Sequence, residues 1–156
     1  MLTLLPVLLA VDAGLVGGVF FAFSTFVMKA LAQLPVEQGV AAMQRINVVV
    51  MNPLFLGLFV GTALIGGIAA IGAVLSWGSM RSSLLLAAGI LYVVGAFGVT
   101  AAFNVPRNER LAHLQAESSE ARAYWPVYLR EWLLWNHVRT AASAAAAIAA
   151  TVSLAH

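Results

Sequence analysis

Cysteine is absent from the chain, which excludes disulfides, iron–sulfur clusters, thiolate zinc sites and cysteine nucleophiles. Charge is almost as scarce, at 9% of residues where soluble domains carry roughly 25%. The formal net charge of +2 is small, and the basic residues fall near the ends of apolar segments. No basic patch of the kind that binds nucleic acid is present, so nucleic acid is not an expected partner. Histidine numbers three, His113, His137 and His156, too few for a multi-histidine metal or haem centre within one chain. No glycine-rich phosphate loop, nucleophile elbow or HExxH motif occurs. The methionines Met28, Met43, Met51 and Met80 do not repeat in a metal-transport pattern and read as packing.

What is abundant is apolar surface. Hydrophobic residues make up 62% of the chain and the mean hydropathy is +0.95. A core of this size cannot bury that much, so the bilayer must be part of the solvent. Four segments reach the roughly 20 apolar residues a spanning helix needs: about 2–27, 48–77, 84–103 and 133–154. The first lacks a basic leader before its apolar run and continues past Phe26, so it reads as a retained helix. The expected fold is all-α, a single domain over 1–156 forming an antiparallel four-helix membrane bundle. A tight turn at Gly78–Ser83 and a polar connection at 104–131 join the later spans. Lys29, Arg45, Arg107, Arg110, Arg122 and Arg130 fall on one side and Arg81 on the other. The positive-inside rule then places both termini outside a membrane read as a bacterial inner membrane, with the longer loops in the cytoplasm. Gly14, Gly18 and Ala22, and Gly57 with Gly61, form small-residue stripes expected to pack helices closely, within the monomer or a homo-oligomer.

Polar side chains near the hydrocarbon carry the functional signal, because burying them there is costly. Ser24 and Thr25, then Gln44, Arg45, Asn47 and Asn52, then Thr100, Asn104, Arg107, Asn108 and Glu109, then Trp132, Asn136, His137, Arg139 and Thr140 all approach the cytoplasmic side. Thr100, Asn104, Arg107 and Asn108 share one helical face. Trp132, Asn136, Arg139, Thr140 and Ser143 share another, extended backward by Tyr128 and Trp125. Two such faces are expected to look at each other across an interior cavity. Trp125 and Trp135 also fit an interfacial aromatic belt, and the asparagines also fit simple interhelical hydrogen bonding. His137 could serve as a base or a metal ligand, although it lies about 100° around the helix from Asn136. Asp12, near mid-membrane, needs a proton or a cation, and Arg139 is the expected partner. Glu109 lies in a charged juxtamembrane segment and also fits a solvated surface position.

The runs Gly17-Gly-Val-Phe-Phe-Ala-Phe-Ser-Thr-Phe-Val-Met28, Met43-Gln-Arg-Ile-Asn47, Phe97-Gly-Val-Thr-Ala-Ala-Phe-Asn-Val-Pro-Arg-Asn-Glu109 and Trp132-Leu-Leu-Trp-Asn-His-Val-Arg-Thr140 together resemble the anthrone-oxygenase-like family of membrane proteins. The resemblance implies a four-helix membrane protein and oxidation of anthrones to anthraquinones by dioxygen, without an established cofactor. The matching positions are Asn47, Asn104, Asn108, Glu109, Trp132, Asn136, His137 and Arg139. The expectation is an oxygenase for a planar phenolic or anthrone-type molecule. His137 is its candidate base, with Arg139, Asn104 and Asn136 stabilising an oxyanion. Trp132, Asn108, Asn47, Tyr128, Thr100 and Glu109 are the expected substrate contacts. No cofactor and no metal ligand set is expected. The expected partners are the lipid bilayer and a hydrophobic aromatic small molecule. Two other classes fit the same residues: a non-catalytic binding module or helix-bundle subunit, and a metal- or haem-dependent redox protein.

Overall fold

The computed structural model describes residues 4–156, so Leu2, placed in the first span, lies outside the described residues. Five helices follow in order: α1 Leu4–Ala32, α2 Val36–Val49, α3 Pro53–Leu75, α4 Met80–Ala112 and α5 Ser119–Ala155. Among the described residues there is no strand. All but α2 are long and apolar enough to cross a membrane, and the chain is an integral membrane protein. Large apolar side chains such as Leu15, Phe21, Leu64, Ile68, Ile71 and Ile148 stand more than half exposed on the outside of the bundle. In water such a surface would drive aggregation; in lipid it is the solvated face.

Around the bundle, α1 packs on α5, α5 on α4, α4 on α3 and α3 on α1. The seams near the Gly78 turn are lined by residues with little or no side chain. A Cβ on Gly89 would stand 2.3 Å from the Gly66 carbonyl oxygen, and one on Gly95 would stand 2.6 Å from the Ala142 Cβ. A Cβ on Gly17 would meet Ser143 at 3.0 Å. Close backbone approach of this kind replaces the hydrophobic drive that lipid removes. The stripes expected to do this work do not: Gly14, Gly18, Gly57 and Gly61 have no neighbour near a Cβ position. They sit on faces turned outward, which a three-to-four-residue spacing cannot reveal.

Several boundaries differ from the expected ones for local reasons. The second span starts at Pro53, not near Val48, because Asn52 accepts a hydrogen bond from Phe55 N–H at 3.0 Å and Pro53 occupies the first helical turn. That capping pair detaches Gln44, Arg45 and Asn47 into α2, a separate amphipathic helix. The 104–131 connection is mostly helix as well, since α4 runs to Ala112 and α5 starts at Ser119, capped by Ser118. Gln44 Nε2 donates to the carbonyls of Leu111 and Leu114 at 2.8 and 2.9 Å, closing the end of α4 against α2. The Gly78 turn is also shorter than expected, with Gly78 at φ +125°, a region open mainly to glycine, and Ser79 capping α4.

The helices are not uniform. Met28 N–H bonds the carbonyl of Phe23, and Val105 N–H that of Thr100, each five residues back. These are π-turns, and a third stretch covers Leu91–Gly98. Pro106 follows the Thr100–Asn104 turn directly, and widening there relieves the clash of its ring with the preceding turn. Side chains add to the distortion: Thr25 donates to the Phe21 carbonyl and Thr100 to that of Ala96, a bonding pattern that bends helices. π-turns concentrate at functional sites, and two of these three flank the polar residues of the chain.

Candidate functional site

A cavity of about 290 Å³ lies in the half of the bundle closed by α2. Its wall is almost wholly apolar, built from Phe20 and Phe23 of α1, Met43 and Ile46 of α2, Phe55 and Phe59 of α3, Phe97 of α4 and Trp132 of α5. Four polar residues reach it: Asn47, Thr100, Asn108 and Arg139.

Arg139 is 5% exposed and no carboxylate pairs with it among the described residues. Its Nη2 donates to Asn136 Oδ1 at 2.7 Å and its Nη1 to Thr100 Oγ1 at 3.2 Å. Its guanidinium carbon lies 4.2 Å from the centre of the Phe20 ring and 5.0 Å from that of Trp132. Two ring faces and two neutral oxygens thus hold the cation, a low-charge cradle that leaves its positive potential largely uncompensated. The expected Asp12–Arg139 ion pair is not formed. Asp12 lies eight residues before Phe20 on α1, about 12 Å of helix rise from the ring against which Arg139 is stacked.

The orientation of every amide in the network follows from its partners. Asn136 Nδ2 donates to the Phe20 carbonyl and to Ser24 Oγ, both at 2.8 Å, while its oxygen faces Arg139. Asn108 Oδ1 accepts from Tyr128 Oη and from Trp132 Nε1, both at 2.8 Å. Because the indole N–H can only donate, the Asn108 oxygen is committed to α5 and its NH₂ group turns away from those donors. Asn104 Nδ2 donates to the Trp132 carbonyl at 3.2 Å, and its Oδ1 is buried without a protein partner. Asn47 Nδ2, near the Tyr128 hydroxyl, and Arg139 Nε are likewise buried and outside any hydrogen bond. Buried polar groups are nearly always bonded, and these two donors, each on a residue that lines the cavity, find no acceptor among the described residues.

The polar faces of α4 and α5 meet as expected, but directly. Thr100, Asn104, Arg107 and Asn108 all bond to α5, Arg107 through an ion pair with Glu131 at 2.9 Å. The cavity opens beside this seam, toward α1, α2 and α3, rather than between the two faces. Asn104, Asn136 and Tyr128 therefore stand behind the cavity wall, fixing the residues that form it. Trp125 is 3% exposed and stacks on Tyr128 with ring centres 5.6 Å apart, so it belongs to the core and not to an interfacial belt. Gly39 is the residue that admits it, since a Cβ there would meet the indole at 3.0 Å. Trp135 stacks on Phe103 at 3.6 Å, outside the cavity lining.

His137 and Glu109 are not brought to the cavity. Both are exposed and neither lines it. His137 Nδ1 lies 3.0 Å from Ser24 Oγ, which also lies 3.0 Å from Thr140 Oγ1. Thr140 donates its only proton to the Asn136 carbonyl at 2.8 Å, so Ser24 must donate to Thr140. That leaves His137 to donate from Nδ1 to Ser24. A histidine so committed is a buttress for the network through that nitrogen, not a base facing the cavity. Among the described residues no three His, Asp or Glu side chains gather into a metal-binding group.

Sequence reasoning missed Phe20 and the α2–α3 wall, because single aromatics within Phe-rich apolar runs carry no periodic mark. Ser24 was visible only as one of two hydroxyls at a helix end, not as the junction of the Asn136, His137 and Thr140 contacts.

A family model described as Anthrone oxygenase matches residues 53–149, and the chain belongs to that family. The match holds α3, α4 and most of α5, with Arg139, Thr100, Asn108 and Trp132, and leaves out the α1 and α2 residues that complete the cavity. No curated protein and no solved structure matches the chain.

Proposed function

We propose that this member of the anthrone oxygenase family is a membrane-embedded oxygenase. It takes a planar phenolic or anthrone-type molecule into the cavity, near the cytoplasmic face, and oxidises it with dioxygen. One observation carries the reading: an aromatic-walled cavity whose unpaired polar atoms, Asn47 Nδ2 and Arg139 Nε, are both donors. Such a lining complements a flat ring system with an acceptor oxygen at its edge, and it favours that oxygen most when it carries negative charge.

The chemistry needs little more. A methylene C–H of the substrate breaks, its proton passes to water, and the electron pair delocalises onto the ring oxygen held by Arg139 and Asn47. The resulting enolate gives one electron to dioxygen, and the radical pair collapses to a C–O bond, giving a peroxide that takes up a proton. The second methylene proton then leaves as the O–O bond breaks and hydroxide departs, so that CH₂ and O₂ become C=O and water. Donor stabilisation of the enolate lowers the pKa of the first proton and favours its loss by way of water to the solvent buffer. The aromatic wall holds the ring flat and excludes water from the radical pair.

A second reading, a binding module without turnover, is favoured by a different observation. Among the described residues that line the cavity none is a carboxylate or an imidazole, so none of them is a fixed base. Purified protein in mild detergent, given anthrone under dioxygen, separates the two through oxygen uptake and anthraquinone absorbance. The oxygenase reading expects turnover that falls on the order of a hundredfold or more in Arg139→Met, the usual scale for losing an oxyanion donor. Anthraquinone binding without any oxygen uptake selects the binding module instead.

A further inference from the structure

The cavity has two flanks on which its lining is also outer surface. On α4, Ala101 and Val105 line the cavity and are exposed, Val105 at 37%. Opposite them on α3, Val60 lines it and is 40% exposed. This follows from how α3 is held: it packs on the Met80–Gly98 part of α4 and on the Leu4–Ala22 part of α1. The Asn52–Pro53 break starts α3 away from both neighbours, so its Pro53 end diverges from the Thr100–Ala112 end of α4. On the α1 flank Phe20 packs edge-on against Phe59. On the α4 flank Phe97 packs against Phe59 with ring centres 5.3 Å apart, and the exposed lining residues that follow it on α4, Ala101 and Val105, carry only a methyl and an isopropyl group. The exposed lining groups along that flank, Val60, Ala101 and Val105, are all apolar.

We propose that substrate enters sideways from the bilayer between α3 and α4, through a portal whose width is set by Ala101 and Val105. The inference rests on the reading of the cavity as the substrate site. It also narrows the substrate class: a flat molecule that partitions into lipid passes edge-on, whereas the same ring system bearing a sugar or a charged chain does not. The reaction that supplies the substrate must therefore deliver an unconjugated, membrane-soluble aromatic.

Narrowing a doorway slows arrival and departure alike, whereas altering a binding wall changes affinity, and the test uses that difference. 1,8-Dihydroxyanthraquinone, a fluorescent product-type probe, is loaded into liposomes and mixed with liposomes carrying the protein, and association and dissociation are followed by its emission. Ala101→Trp, and separately Val105→Trp, are expected to slow both rates about tenfold or more with the dissociation constant unchanged. Val19→Trp, at the exposed lining position on the α1 flank, is expected to slow the two rates far less than either α4 variant does. Slowing in Val19→Trp but in neither α4 variant would overturn the portal and move entry to the α1 flank. Weaker affinity with unchanged association in the α4 variants would make Ala101 and Val105 ordinary wall residues and also overturn it. If the unmodified protein and Arg139→Met both fail to bind the probe, the cavity reading itself falls, and the portal with it. Ile90→Trp, exposed on α4 away from the cavity, reports whether a tryptophan on that helix is tolerated.

Discussion

The half of the bundle near the Gly78 turn and the half near α2 are built on opposite principles. Near Gly78 the helices touch backbone to backbone at Gly66 and Gly89, and at mid-helix Gly95 meets the Ala142 methyl, with Ala69, Ala73, Ala88, Ala146 and Ala150 buried along these seams. Near α2 the helices are held apart by rings and joined by side-chain hydrogen bonds running from Ser24 through Asn136 and Arg139 to Thr100. Dry contact can be made by the smallest residues and leaves no room. A hydrogen-bonded frame spans a distance, and it can enclose a space of about 290 Å³ without collapsing into it. Tightness at one end is what permits openness at the other.

The largest effect should come from the tight end. In Gly89→Ala the new methyl meets the Gly66 carbonyl oxygen at 2.3 Å, a backbone atom that cannot move aside. Destabilisation at or above the upper end of the ~1–3 kcal/mol typical of overpacking is expected, read as a sharp fall in melting temperature and recovered yield in detergent. Unchanged melting would show that this seam is looser than its geometry and would undo the comparison.

At the open end the expected losses are in function, not folding. Asn47→Ala removes one unpaired donor and should lower kcat/KM for anthrone about tenfold, close to the ~0.5–1.5 kcal/mol net value of a hydrogen bond, with melting nearly unchanged. His137→Ala removes only a donor to Ser24 and should cost less than Asn47→Ala. Turnover abolished in His137→Ala with intact folding would restore the imidazole as the base and sink the arrangement described above.

The smallest effect sharpens the comparison by contrast. Gly57→Ala, whose Cβ meets nothing within 4 Å, should leave the melting temperature unchanged or raise it slightly, as Ala is the better helix former by roughly 1 kcal/mol. A drop like that of Gly89→Ala would mean that the outward glycines are covered by another subunit.

Much of this architecture was legible before any coordinates. Four long apolar runs, a polar seam on the later helices, and the residues Arg139, Thr100, Asn108, Trp132 and Asn47 all follow from hydropathy and spacing. What was illegible has identifiable causes. Helical spacing shows that Gly14, Gly18, Gly57 and Gly61 share faces, but not whether a neighbour stands opposite, and none does. A regular α-helix was assumed through Thr100–Asn104 and Phe23–Val27, where the backbone is π-wound. The Asn52–Pro53 step fell inside the expected second span, 48–77, and was not read as the device that turns α2 across the end of the bundle.

The chain's composition alone determined its solvent and its secondary structure, because an apolar segment in lipid must satisfy its own backbone and only a helix does so. The absence of cysteine excluded thiolate chemistry, and the scarcity of polar residues confined the candidate site to a short list of side chains. Which donors would be paired and which left without a partner was decided by the tertiary structure. Arg139 meets Phe20, Asn136 and Thr100 rather than Asp12, and His137 turns to Ser24. The hydrogen-bonding capacity of a side chain is written in its type, but its satisfaction depends on which atoms of other helices come within about 3 Å.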